Sequence, residues 1–137
     1  MRVFFDSSAF VKRYVRESGT DSVLAWCDAA TELCLSGIAV PEIISALCRL
    51  QRDKRITLLQ YRHLKALLMS DITDMAICDL TPEVIRNTVV CLESNVLRGM
   101  DAIHVGSALA LHVDLFISAD TRQCAAATVA GLRVEQV

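Results

Sequence analysis

An α/β domain whose parallel sheet is covered by helices on both faces is the fold class this sequence predicts. Three observations lead there. Short, almost wholly apolar runs recur along the chain, segments of helical period separate them, and no linker, repeat or low-complexity stretch interrupts the alternation across the 137 residues. Runs that are apolar throughout belong to strands buried from both sides. The length suits one domain, 1–137, with a core that holds without disulfides.

The first strand is Val3-Phe4-Phe5, stopped at Asp6-Ser7-Ser8, after which Phe10, Val11, Tyr14 and Val15 recur at helical spacing. The Ser18-Gly19 break precedes a second helix over Asp21 to Ala30, and Leu33-Cys34-Leu35 is a minimal strand. Beyond Ser36-Gly37 a helix carries Pro41 in its first turn, where the missing N–H costs nothing. Ile43, Leu47 and Leu50 form its core stripe, while Glu42, Ser45 and Arg49 lie on another face. A basic connector leads to a helix over Leu58 to Met69, with Leu64, Leu67 and Leu68 in period. Met75 to Leu80 predicts a strand and Thr81-Pro82 a helix start, followed by Ile85, Val89, Leu92 and Val96 at helical spacing. Gly99 breaks that period. Met100 to Leu111 is apolar nearly all round, the mark of a helix packed on several sides, with Asp101 in its first turn. Leu115-Phe116-Ile117-Ser118 is a strand ending at Asp120. An Ala-rich helix runs from Thr121 to Ala130, Gly131 stops it, and Arg133 to Val137 is the last strand.

Fourteen Lys and Arg against sixteen Asp and Glu give a net charge of −2, which excludes a polycation that coats nucleic acid by charge alone. The segment from Arg49 to Lys65 is locally +5, six cations against Asp53; it suits an RNA backbone or a solvated helical surface and turn, the second being the favoured reading. The six cysteines are scattered, with no C-x-x-C, and sit among aliphatic residues. They read as small buried hydrophobes in a reducing compartment, not as zinc ligands or a disulfide framework. The first residues lack the apolar region of a signal peptide, and Ala102 to Leu111 is too short to span a bilayer. The expectation is a cytoplasmic protein without a membrane segment.

Ligands of open parallel sheets bind beyond the carboxyl ends of the strands, where strand order reverses. Asp6 and Asp120 follow strands at that edge, and Glu42 and Asp101 fall in the first turns of helices. Each acid alone has an ordinary explanation, as an N-cap or as a complement to a helix dipole. Four together, in apolar surroundings, repel one another and call for a cation. Oxygen-only ligands point to Mg²⁺ or Mn²⁺. His63, His104 and His112 have no second histidine at ligand spacing and read as structural; Trp26, Tyr14 and Tyr61 are too dispersed for a base-stacking platform.

The chain resembles the PIN domains, in particular the small toxin subunits of VapBC-type toxin–antitoxin pairs. The resemblance rests on Val3-Phe-Phe-Asp-Ser-Ser-Ala-Phe-Val-Lys-Arg-Tyr14, Val40-Pro-Glu-Ile-Ile-Ser-Ala-Leu47, Leu97-Arg-Gly-Met-Asp-Ala-Ile-His104, and Phe116-Ile-Ser-Ala-Asp120 with Ala126 and Gly131-Leu-Arg-Val134. Each motif is weak alone; in this order, over almost the whole chain, they are specific. The resemblance implies a three-layer α/β/α sandwich on a central parallel sheet of about five strands. It implies a metal-dependent endoribonuclease with Mg²⁺ or Mn²⁺ at Asp6, Glu42, Asp101 and Asp120, and an antitoxin partner whose tail fills the groove. Homodimerisation is implied as well. Ser8 and Ser118 match hydroxyl positions that support the acids. Asp6 and Asp101 are expected to hold the principal metal, with Glu42 and Asp120 completing the site or orienting the water, and one or two metals suit four acids equally. Lys12, Arg13 and Arg16 lie near Asp6 in sequence and are candidates for RNA or antitoxin contact.

Other acid-bearing folds fail on single residues. A haloacid-dehalogenase-like phosphatase needs an acid where Ser8 stands, a receiver domain needs a late lysine where the last is Lys65, and a Walker-type nucleotidase needs an absent G-x-x-x-x-G-K. The remaining alternative is a non-catalytic or housekeeping RNA- or protein-binding module of the same fold.

Overall fold

The computed structural model describes residues 1–137. Its elements are β1 (Arg2–Phe5), α1 (Ser7–Phe10), α2 (Thr20–Ala29), β2 (Glu32–Ser36), α3 (Ala39–Arg52), α4 (Leu58–Asp71), β3 (Ala76–Cys78), α5 (Pro82–Ser94), α6 (Gly99–Ala110), β4 (Leu115–Ser118), α7 (Thr121–Val129) and β5 (Val134–Gln136). All five strands are parallel, in the order β3-β2-β1-β4-β5. The chain adds strands on one side of β1, then crosses to the other at β4, so the switch point lies between β1 and β4.

Alternation along the central strands divides the core into the two interfaces of a three-layer sandwich. Val3, Phe5, Leu35, Leu115 and Ile117 face one way and pack with Phe10, Val23, Ile43, Leu47 and Leu68 of α1 to α4. Phe4, Cys34 and Phe116 face the other way, with Cys91, Ala102, Val105, Ala108, Ala126 and Ala127 of α5 to α7. Phe4 and Phe116 stack across the β1–β4 pair, with centroids 5.5 Å apart and 10° between their planes. Helix α6 packs against α5 at Gly106, where a Cβ would lie 2.5 Å from Thr88 Oγ1 and 2.9 Å from the Val84 carbonyl. No helix is long and apolar enough to cross a membrane.

Local chemistry sets most boundaries as the sequence predicts. Thr57 caps α4 in a full capping box with Gln60, Thr81 caps α5 with Pro82 next, and Gly131 follows α7 at φ +91°. The helix expected through Val15 is shorter. Its α-helical turn ends at Phe10 and a 3-10 turn follows over Val11–Arg13. There the Lys12 carbonyl accepts from Thr20 Oγ1 rather than continuing a helical ladder. The strand expected over Met75 to Leu80 contracts to Ala76–Cys78, because Thr81 already caps the next helix.

Candidate active site at the carboxyl edge of the sheet

Asp6 leaves the end of β1 and caps α1: Oδ1 accepts the Ala9 N–H at 2.9 Å. Ser8 Oγ lies 2.8 and 2.7 Å from its two oxygens, and Ser118 Oγ, at the end of β4, donates to Oδ2 at 2.9 Å. The residue is 3% exposed. Burial pushes its carboxyl above the ordinary range, although His104 and the donors from Ser8, Ala9 and Ser118 pull the other way.

Asp120 caps α7, accepting the Gln123 N–H at 2.8 Å, and its own N–H donates to Ser118 Oγ at 3.0 Å. Asp101, in the first turn of α6, is half-buried. Its pKa is raised by burial first and then by the charges of Asp120 and Glu42, against the pull of His104 and Arg98. Gln123 is fully buried and joins the elements, donating to the Asp101 carbonyl at 2.9 Å while its Oε1 meets Ser118 Oγ at 2.9 Å.

Glu42, in the first turn of α3, is held through one oxygen. Its Oε1 accepts from Ser7 Oγ at 2.7 Å and from His104 Nε2 at 2.7 Å. Burial raises its pKa, but those two hydrogen bonds and the His104 charge outweigh it, and the net shift is downward. His104 is therefore packed as expected, at 2% exposed, but it is not a bystander. His63 and His112 are exposed.

All four acids line one pocket of about 250 Å³, together with Ser7, Ser8 and His104. From Asp101 and Asp120 a larger groove of about 790 Å³ opens between Arg98 and Arg122. A third, mainly apolar groove runs from Glu42 and Asp101 along Ile85, Val89 and Met100. Of the basic candidates, Lys12 is buried with its ammonium on the Ser18 carbonyl and 3.8 Å from Glu17. Arg13 binds Asp71 at 2.9 Å beside the Tyr14 hydroxyl at 2.7 Å. Arg16 is exposed and paired with Asp21.

No three His, Cys, Asp or Glu side chains draw together tightly enough to cage a metal by themselves. Mg²⁺ needs no such cage, since one or two carboxylates, waters and substrate phosphates suffice. The donor set fits such an ion: oxygen ligands only, with two carboxyls, Asp6 and Asp101, whose raised pKa values a cation would reverse. Ser7, His104 and Gln123 are the site residues that sequence reasoning misses. For His104 a signal existed, because it stands three residues after Asp101, one turn along the same helix.

Comparison with known proteins identifies the family. The PIN domain family model matches residues 3–129. Ribonuclease VapC45 of Mycobacterium tuberculosis (strain CDC 1551 / Oshkosh) is 31% identical over 134 residues, 96% of this chain and 93% of its own. Among solved structures, VapBC2 from Rickettsia felis, bound to a DNA fragment from its promoter, superposes with a TM-score of 0.70 at 10% identity, covering 100% and 99% of the two chains. Mycobacterium tuberculosis VapC20, described as a sarcin-ricin loop cleaving toxin, does so with a TM-score of 0.68 at 14% identity, covering 95% of each. These two share the fold. With the family model spanning nearly the whole chain and a relative above 30% identity over almost all of it, the chain belongs to the PIN-domain family, in its VapC-like group.

Proposed function

We propose that the chain is a metal-dependent endoribonuclease, the toxin subunit of a toxin–antitoxin pair, which hydrolyses RNA phosphodiester bonds at its four-carboxylate pocket. The observation that carries this reading is the convergence of Asp6, Glu42, Asp101 and Asp120, from four separate elements, on one pocket at the β1–β4 switch point. A relative named as a ribonuclease supports the reaction, and the VapBC structures support a protein partner that restrains it. That partner, a second copy of the chain and a cytoplasmic setting complete the reading. The free cysteines are at home in a reducing compartment.

Asp6 and Asp101 would hold the principal Mg²⁺ or Mn²⁺, with Glu42 and Asp120 completing the site or orienting the water. When bound, such an ion neutralises the phosphate, lowers the pKa of the attacking water and stabilises the leaving oxygen. The protein's own contribution is positional. Ser8, Ser118 and the Ala9 N–H fix both oxygens of Asp6, and Gln123 ties the start of α6 to α7, so Asp101 and Asp120 keep their separation. Arg98 and Arg122, exposed and outside any ion pair, flank the groove where phosphates beside the scissile one would lie.

The test is cleavage of a mixed RNA pool by the purified chain with Mg²⁺, Mn²⁺ or EDTA, beside an Asp101→Asn variant of equal thermal stability. Cleavage that requires metal and is lost in the variant supports both the activity and the site. Equal cleavage by both proteins in EDTA, or inertness of both, takes away the support for the catalytic assignment and leaves a binding module or a nuclease whose one narrow target is absent from the pool.

A further inference from the structure

Glu42 is the one acid of the four held by a buried ring. Its side chain is 31% exposed and opens a helix, a place where water alone would satisfy it. Instead two donors from different elements, Ser7 Oγ of α1 and His104 Nε2 of α6, meet on the same oxygen at 2.7 Å each, and Oε2 takes no hydrogen bond from the protein. Ser7 Oγ lies 3.2 Å from the same ring nitrogen and closes a triangle.

This arrangement costs the fold something. His104 is 2% exposed, edge-on to Phe4 with centroids 6.3 Å apart, and its Nδ1 is buried without any partner. An aliphatic side chain would pack against Phe4 with no stranded nitrogen, and buried polar atoms left unpaired are uncommon enough to need a reason. Because a carboxylate only accepts, Nε2 is the nitrogen that carries the proton toward Glu42, and Nδ1 is the one left over. The stranded atom is accounted for if the ring is there for its other nitrogen.

We infer that His104 is a positioning residue: through Nε2–H it fixes the Glu42 carboxylate by Oε1, leaving Oε2 as the oxygen that serves the metal site. This rests on the reading of Glu42 as part of that site. It also explains why one helix carries both Asp101 and His104, three residues apart: α6 brings its own acid to the pocket and sets the acid of α3. Groups that orient metal-binding carboxylates commonly change metal affinity by about 10–100-fold when removed.

The test uses the full chain and Mn²⁺ as the probe. In His104→Ala, Mn²⁺ affinity, read from the free-ion paramagnetic signal of titrated protein, is expected to fall by about 10–100-fold. RNA cleavage is expected to lose kcat with little change in KM. His104→Gln, whose amide nitrogen reaches the place of Nε2, is expected to recover most of both. In a Glu42→Gln background, His104→Ala is expected to add almost nothing, because the two changes break the same contact. Mn²⁺ affinity of His104→Ala within about threefold of wild type, a Gln variant no better than Ala, or fully additive losses would each overturn the proposal and return His104 to simple packing, whatever its melting temperature. A wild-type chain that binds no Mn²⁺ and cuts no RNA fails the functional reading itself. The contact alone is still read by nitrogen NMR of the imidazole, where an Nε2–H tautomer that shifts on Glu42→Gln is expected in metal-free protein.

Discussion

Ser118→Ala removes one hydroxyl shared by Asp6, Gln123 and the Asp120 N–H, with Ser8 Oγ 3.4 Å away. Ser118 Oγ is fully buried, 2.9 Å from Asp6 Oδ2 and 2.9 Å from Gln123 Oε1, and it accepts the Asp120 N–H at 3.0 Å. Its single proton serves one acceptor at a time, so the losses are not three independent bonds. Truncation forfeits a hydrogen bond to a charged group, about 1.5–3 kcal/mol, and leaves Gln123 Oε1 or the Asp120 N–H short of a partner, about 1 kcal/mol more. A net loss of about 2–4 kcal/mol lowers Tm by about 6–16 °C at this chain length. Ser8→Ala is the comparison: Ser8 touches both oxygens of Asp6 but is only half-buried, so water replaces it and the loss is nearer 1 kcal/mol. The pH dependence has a definite sign. Donation from Ser118 favours ionised Asp6, so its loss raises further a folded-state pKa that burial already holds high. The variant's deficit is fully present above that raised pKa and shrinks as pH falls through it, because a protonated acid needs no donor. Melting curves in EDTA across the acid range measure this. A Tm within about 2 °C of wild type, or a deficit that grows on acidification, refutes the reasoning.

Asp6→Asn separates function from stability: since burial raises the Asp6 pKa, its charge costs stability at every pH above the unfolded value. The metal-free variant is expected to melt above wild type at pH 7 in EDTA while losing cleavage and the stabilisation by Mg²⁺; a lower Tm contradicts this. Gly106→Ala forces a Cβ to within 2.9 Å of the Val84 carbonyl and 3.0 Å of the Thr88 N, so α5 must move. Overpacking of about 1–3 kcal/mol, less about 1 kcal/mol of helix propensity, predicts a lower Tm that Thr88→Ala only partly restores. Arg13→Ala cuts the tie to Asp71 and is expected to lower Tm, whereas Arg16→Ala leaves Tm unchanged. If RNA touches that face, only Arg16→Ala weakens the salt dependence of substrate binding, measured at two ionic strengths.

Fold and acids were legible for a local reason. A parallel strand buried on both faces must be apolar throughout, so Val3-Phe4-Phe5 and Leu115-Phe116-Ile117 announce themselves, and each is followed at once by a polar break carrying an acid. The contacts among those acids were not legible. Nothing local to Gln123 says that its amide bridges Ser118 and the Asp101 carbonyl, 5 and 22 residues away. Likewise the Glu42–His104 pair spans 62 residues. The basic residues near Asp6 show the converse: Lys12 and Arg13 stand beside it in sequence, yet the 3-10 turn directs them to Glu17 and Asp71.

The ordinary and the functional readings of these acids are not alternatives. Asp6 and Asp120 are true N-caps, and Glu42 and Asp101 occupy first turns, so each carboxylate is individually favoured by the helix it begins. The topology then places those four helix starts around one pocket at the carboxyl edge of the sheet, and what is favourable singly becomes repulsive collectively. The residue of that conflict is visible at Asp101, whose pKa is raised by burial and by Asp120 and Glu42 together. Local capping therefore offsets part of the cost of bringing four acids to one pocket, and under the proposed function a bound cation would relieve the repulsion that Asp101 carries. Under that reading a single substitution at any of the four changes both stability and cation affinity, in opposite directions where burial is deepest.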